Sequence, residues 1–120
     1  KHTALQHLIA LLSKTHANGI PVLEKLHRTK AGTEKQIAEK EELHRINQER
    51  KAIRMTRPSQ ENVYDPAQEK LDAEDAVLDN SLACKRQCLA DVIKMIADMN
   101  AAQACLAADL KDKNAAEGLE

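Results

Sequence analysis

One apolar seam, with residues spaced alternately by four and three, runs without interruption through the C-terminal half of this chain. Nine of its twelve positions are apolar. The alternation averages 3.5 residues per turn, which keeps an apolar stripe facing one neighbouring helix as the two supercoil. The sequence therefore predicts a long coiled-coil helix and not a domain built around a pocket. The seam positions are Leu71, Asp75, Leu78, Leu82, Lys85, Leu89, Val92, Ile96, Met99, Gln103, Leu106 and Leu110.

The composition lacks the large aromatic side chains from which globular cores are usually built. Among 120 residues there is no Trp or Phe, and Tyr64 is the single Tyr. Large aromatics bury about 150 to 250 Å² each. Their scarcity, with abundant Ala, Leu, Glu, Lys and Gln, predicts an all-α fold of long extended helices with little or no β-structure. Burial is expected to come from long, thin contacts between neighbouring helices.

Charge and hydropathy argue against two classes of partner. The chain has 18 Lys and Arg against 19 Asp and Glu. The basic residues are spread along the sequence and form no basic arm, so no nucleic-acid partner is expected. The longest apolar runs, such as Leu8 to Leu12, are far shorter than the ~20 residues of a membrane span. We therefore expect no nucleic-acid or membrane contact.

Turn-forming residues divide the chain into two helical rod segments. The first is predicted over 1–55, with a break at 18–20 where an Asn-Gly pair precedes a proline, and with a kink at 32. Two prolines predict a loop or linker over 56–66. The second segment, 67–117, carries the seam, and Gly118 marks its limit.

The cysteines favour a reducing, intracellular compartment. Cys84, Cys88 and Cys105 are odd in number, and the chain has no Asn-x-Ser/Thr sequon. Cys84 and Cys88 share a helix face, but two thiolates without a second pair or a nearby His are too few for a structural zinc site. We expect small packing residues beside the seam, no metal and no other cofactor.

The candidate functional residues are contacts to a partner, and no catalytic motif is present in the sequence. Polar Asp75 and Lys85 on the seam are predicted to set the register of the helices or to select the partner. Arg57 and Tyr64 are candidate loop contacts, although Tyr64 is equally consistent with folding back onto the following helix. The predicted seam contacts are Leu71, Leu78, Leu82, Leu89, Val92, Ile96, Met99, Leu106 and Leu110.

The end of the second segment, Met99 to Lys113, closes on Asp-Leu-Lys-Asp-Lys. It resembles the stretch of the tektin family that runs Asn-Arg-Ala-Ala, three variable residues, Leu, two more, then Asp-Leu-Lys-Asp-Lys. The mixed-charge segment Gln36 to Arg54 is similar to the tektin segment that precedes the family's block at the end of the first rod segment. Further matches in the same register are Val63, Asp65, Glu69 and Leu71.

The resemblance implies a divergent tektin-like protein, because Asn100 stands where the family has Arg and Pro58 and Pro66 are foreign to the block. All 120 residues would then come from the first half of a tektin-like rod. Tektins are filamentous proteins that line and stiffen the doublet microtubules of cilia and flagella. The implied partners are other tektin-like coiled coils, tubulin and luminal microtubule proteins, and the implied location is the cytoskeleton of the axoneme, with a role in sperm motility.

The favoured function is therefore a structural, filament-forming coiled coil that self-associates. The alternative is a compact helical adaptor whose helices fold on each other and present a groove to a partner helix or peptide. An enzyme is not expected, because no combination of nucleophile, base or metal ligands is visible at a useful spacing.

Overall fold

Two long helices make up the part of the chain that the computed structural model describes, which is residues 2–56 and 66–118. Helix α1 is His2–Met55, with 54 residues. Helix α2 is Pro66–Glu117, with 52 residues. Neither range contains a β-strand. The predicted all-α fold of long helices is confirmed.

Helix α1 is longer than predicted, because the break expected at 18–20 does not occur. The helix continues through Asn18 and Gly19 and contains Pro21 in its interior, so the two helices predicted for this half are one. It also continues through Gly32. Asn-Gly and Pro are local stop signals, but most of the stability of a long helix comes from packing of its buried face, and that face overrides them here.

The ends of the helices carry the expected capping features. Helix α1 ends in a turn in which the Thr56 hydroxyl and amide donate to the Ile53 carbonyl at 2.6 and 3.2 Å. Glu69 lies in the first turn of α2, where a carboxylate meets the positive end of the helix dipole. Gly118 closes α2 with a φ of 74°, and its amide donates to the Ala115 carbonyl at 3.0 Å. The predicted linker 56–66 lies outside the described residues except at its two ends.

The chain divides into two compact units, each of which takes residues from both helices. The terminal unit consists of Lys1–Lys30 and Asp91–Glu120, and the hairpin unit is Ala31–Ala90. The division predicted from the sequence instead separates the two helices, at the linker. In the hairpin unit the two helices run antiparallel, since Arg54 contacts Gln68 while Glu41 lies near Arg86.

The core is thin, as expected when each helix has one neighbour. In the hairpin unit the buried apolar side chains are Ile37 and Leu82, the latter 4% exposed, and in the terminal unit Ile96 is 8% exposed. Two polar residues of the hairpin unit, Asn47 and Asp75, are buried with them. Most other contact residues keep part of their surface accessible to water.

Candidate functional site

The predicted seam of α2 is the buried face of that helix. All twelve positions from Leu71 to Leu110 are buried or half-buried, and the residues between them are mostly exposed. The nine apolar positions predicted as contacts are therefore in the interface between helices. These positions are covered by α1 of the same chain, whereas the seam pattern predicts contact with other subunits. Contact of these residues with a separate subunit stays a prediction.

Helix α1 presents a matching seam that its apolar residues alone do not predict. Fifteen of its residues follow the same alternation of four and three, and each is buried or half-buried. Many of them are polar, so hydropathy alone does not reveal the pattern. The 4-3 spacing is visible only when residue type is disregarded. The positions are Leu5, Ile9, Leu12, His16, Gly19, Leu23, Leu26, Lys30, Thr33, Ile37, Lys40, His44, Asn47, Lys51 and Arg54.

A polar cluster around the seam residue Asp75 joins the two helices of the hairpin unit. Lys51 Nζ lies 2.5 Å from Asp75 Oδ2, and Gln48 Nε2 donates to the same oxygen at 2.8 Å. Lys51 Nζ also lies 3.0 Å from Asp72 Oδ1. This Asp75 cluster of Gln48, Lys51, Asp72 and Asp75 pairs a carboxylate that is 8% exposed with a cation from the facing helix.

The electrostatics of the Asp75 cluster follow from that pairing. The hydrogen bond from Lys51 lowers the pKa of Asp75 below its ordinary value, against the opposing effect of burial. The hydrogen bonds to Asp75 and Asp72 raise the pKa of Lys51. Both groups are therefore charged across the neutral pH range, and the role of Asp75 in setting the register stays a prediction.

His44 lies at the edge of the Asp75 cluster and faces two carboxylates. Its Nδ1 atom is 3.7 Å from Asp75 Oδ1 and 3.7 Å from Asp79 Oδ1, beyond hydrogen-bonding distance. His44 Nδ1 and Asp75 Oδ1 are both buried atoms without a hydrogen-bond partner.

A close contact between the two helices explains why α1 passes through Gly19. Gln103 Nε2, on the predicted seam of α2, donates to the His16 carbonyl at 2.8 Å. A Cβ atom placed on Gly19 would lie 2.6 Å from Gln103 Cδ. Gly19 is therefore required for the close approach of the Gln103 side chain, and it does not act as a helix stop.

An open apolar groove of about 530 Å³ lies on one flank of the hairpin unit. Its apolar centre contains Leu43, Ile46 and Val77, of which Val77 is 68% exposed. Arg50 and Glu74 also line it. The complete lining is Leu43, Ile46, Asn47, Arg50, Lys70, Ala73, Glu74, Val77 and Leu78.

The remaining candidate residues do not join this arrangement. Cys84, Cys88 and Cys105 are free and exposed within this chain, and their packing beside the seam against a neighbour stays a prediction. The described ranges hold no group of three or more His, Cys, Asp or Glu side chains suited to a metal ion. Arg57 and Tyr64 lie outside the described residues. Lys85 is half-buried on the seam.

Comparison with known families decides the assignment. The chain matches the sequence model of the Tektin family over residues 3–120. The chain belongs to the tektin family. The resemblance predicted from the Asp109 to Lys113 motif is thereby confirmed across nearly all of this tektin chain. Searches of curated proteins and of solved structures returned no match. Within the described residues of this tektin, neither helix has a stretch long and apolar enough to cross a membrane.

Proposed function

We propose that this tektin chain is a structural rod element that lines ciliary and flagellar doublet microtubules. Its partners in that role are other tektin-like coiled coils, tubulin and neighbouring luminal proteins, and its location is the axonemal cytoskeleton. Tektins are a structural family, which supports a mechanical role for this member. The chain turns over no substrate under this proposal.

The observation that carries the proposal is the burial pattern of the two helices. In both of them, residues spaced alternately by four and three are buried or half-buried where the helices face each other. A protein that works mechanically needs cohesion distributed along its length, and two facing seams provide that. Even the buried polar groups serve this purpose, since Lys51 binds Asp75 across the hairpin unit and Gln103 binds the His16 carbonyl in the terminal unit. These polar groups hold helices together instead of converging on a cleft.

Localisation in ciliated cells tests the proposal directly. The tagged chain is expected to accumulate along the axoneme and to stay with the doublets when soluble and outer proteins are extracted with salt. A compact adaptor would give a diffuse signal and would leave with the salt extract. Absence from the axoneme of cells that express the folded chain would contradict the proposal.

Two variants of the terminal unit test whether incorporation into the axoneme requires the paired helices. One changes a buried seam residue, and the other is a matched control at an exposed position. Ile96→Asp places a carboxylate at a seam position that is 8% exposed and is expected to abolish incorporation, because burying the charge destabilises the helix pair. Leu11→Asp makes a similar change at a position that is 61% exposed and should leave incorporation intact. Equal behaviour of the two variants would show that the seam is not what incorporation depends on.

A further inference from the structure

The two flanks of the hairpin unit differ in chemistry. Leu43 and Ile46 each precede a seam position of α1 by one residue, and Val77 does the same in α2, so all three lie on one flank and form the apolar groove. The opposite flank carries Glu41 and Arg86, whose charged groups approach to 3.7 Å. Because the seam itself is already covered within the chain, the apolar flank is the face of this unit best suited to a further contact.

Two of the three charged residues that line the groove, Arg50 and Glu74, are placed so that a second copy can complement them; the third is Lys70, one turn before Glu74. Arg50 and Glu74 lie at the same level of the antiparallel helices, because the contacts of Gln48 with Asp75 and of Arg54 with Gln68 bracket that level. Neither Arg50 nor Glu74 forms an ion pair within the described residues. A two-fold axis parallel to the helices would bring α1 of one copy over α2 of another at this level.

We propose that the groove of the hairpin unit is the face through which two copies of this chain pair. Arg50 of one copy then meets Glu74 of the other, twice by symmetry, and the apolar side chains of Leu43, Ile46 and Val77 meet in the centre. The inference rests on the proposed structural role, which it deepens by naming the face that copies share. The opposite signs also fix the direction of pairing, because a reversed copy would lose both contacts.

Charge reversal in the 120-residue chain tests the pairing, with mass measured by sedimentation across a concentration series. The unmodified chain is expected to reach the mass of a dimer. Arg50→Glu alone sets two pairs of carboxylates against each other and should weaken dimerisation about ten-fold or more, and Glu74→Arg alone should do the same with two pairs of cations. An equimolar mixture of the two variants should pair as well as the unmodified chain, since every contact in the mixed dimer joins opposite charges.

The mixture distinguishes pairing between copies from an effect within one chain, because each chain in it still carries its own substitution. Arg28→Glu, the same charge change at an exposed position of the terminal unit, should leave dimerisation unchanged. Val77→Asn, at the exposed centre of the groove, should weaken it without altering helical content by circular dichroism.

Three results would overturn the inference: a monomer at every concentration, single charge variants that pair like the unmodified chain, or a mixture that pairs no better than either variant alone. The axonemal localisation test is independent of all three. A monomeric chain that still enters the axoneme would refute the pairing face while leaving the structural role in place, whereas a dimer that never enters the axoneme would do the reverse.

Discussion

The contact between Gly19 and Gln103 yields a prediction that opposes ordinary helix propensity. Replacing a helix-interior glycine by alanine normally stabilises a helix by about 0.5 to 1 kcal/mol. Gly32→Ala should show this gain, because a Cβ atom there meets nothing within 4 Å. At Gly19 the same methyl would lie 2.6 Å from Gln103 Cδ and Oε1, so the Gln103 side chain has to move.

The displacement removes the hydrogen bond from Gln103 Nε2 to the His16 carbonyl. A bond of this kind contributes about 0.5 to 1.5 kcal/mol net, which cancels or exceeds the gain in propensity. Gly19→Ala is therefore expected to be neutral or destabilising, and to fall about 1 kcal/mol or more below Gly32→Ala.

Urea unfolding followed by circular dichroism measures both variants, and a Gln103→Ala background supplies the matched control. Without the glutamine the clash disappears, so Gly19→Ala should then stabilise the chain as Gly32→Ala does. The two sites should show a coupling energy of about 1 kcal/mol in the double-mutant cycle. If Gly19→Ala stabilises the unmodified chain as much as Gly32→Ala does, the close contact does not exist and the reasoning fails.

Other predictions concern the hairpin unit. Leu82→Ala, at a side chain 4% exposed, should cost about 2 to 4 kcal/mol in the free energy of unfolding, whereas Leu43→Ala, at one 51% exposed, should cost well under 1. Lys51→Met should destabilise the chain by about 1 to 3 kcal/mol by leaving Asp75 unpaired, and adding Asp75→Leu should recover most of the loss; a double variant as unstable as the single one would contradict this. Because the pKa of Asp75 is lowered, its contribution to stability is present above the pKa of an unfolded Asp, about 3.9, and is lost as the pH falls through the folded value. Acid titration of Asp75→Asn should show a smaller loss of stability over that interval. Glu41→Ala should change stability by less than about 1 kcal/mol, since its ion pair is exposed.

The fold of α2 could be predicted from the sequence because its seam is apolar enough to be seen. Leu82 and Ile96 mark the same face that the 4-3 spacing indicates, and Gly118 ends the helix where expected. The seam of α1 could not be recognised in the same way, since positions such as Lys30 and His44 are polar. The side chains there are half-buried by a facing helix, which sequence hydropathy does not record.

The helix break predicted near Gly19 was wrong, because a glycine that allows a close contact between helices looks the same in the sequence as a glycine that ends a helix. The distinction depends on Gln103, which is far away in the sequence and enters only once the two helices face each other. The Asp75 cluster is an intermediate case. The polar residue on the seam was predictable as an element of register, but its partner Lys51 follows only from the level at which α1 meets α2.

Polar residues in the seams solve a problem that apolar seams create. A 4-3 repeat is nearly unchanged by a shift of seven residues, so leucines alone would allow the two helices to pair in several registers. Lys51 reaches Asp75 only at one level of the hairpin unit, and Gln103 meets Gly19 only at one level of the terminal unit. A shifted register would leave the Asp75 carboxylate without its cation, at a cost of about 1 to 3 kcal/mol, and would press a side chain against Gln103. In each unit a polar contact thus selects the register of the two helices, and the apolar seam positions stabilise the pair in that register.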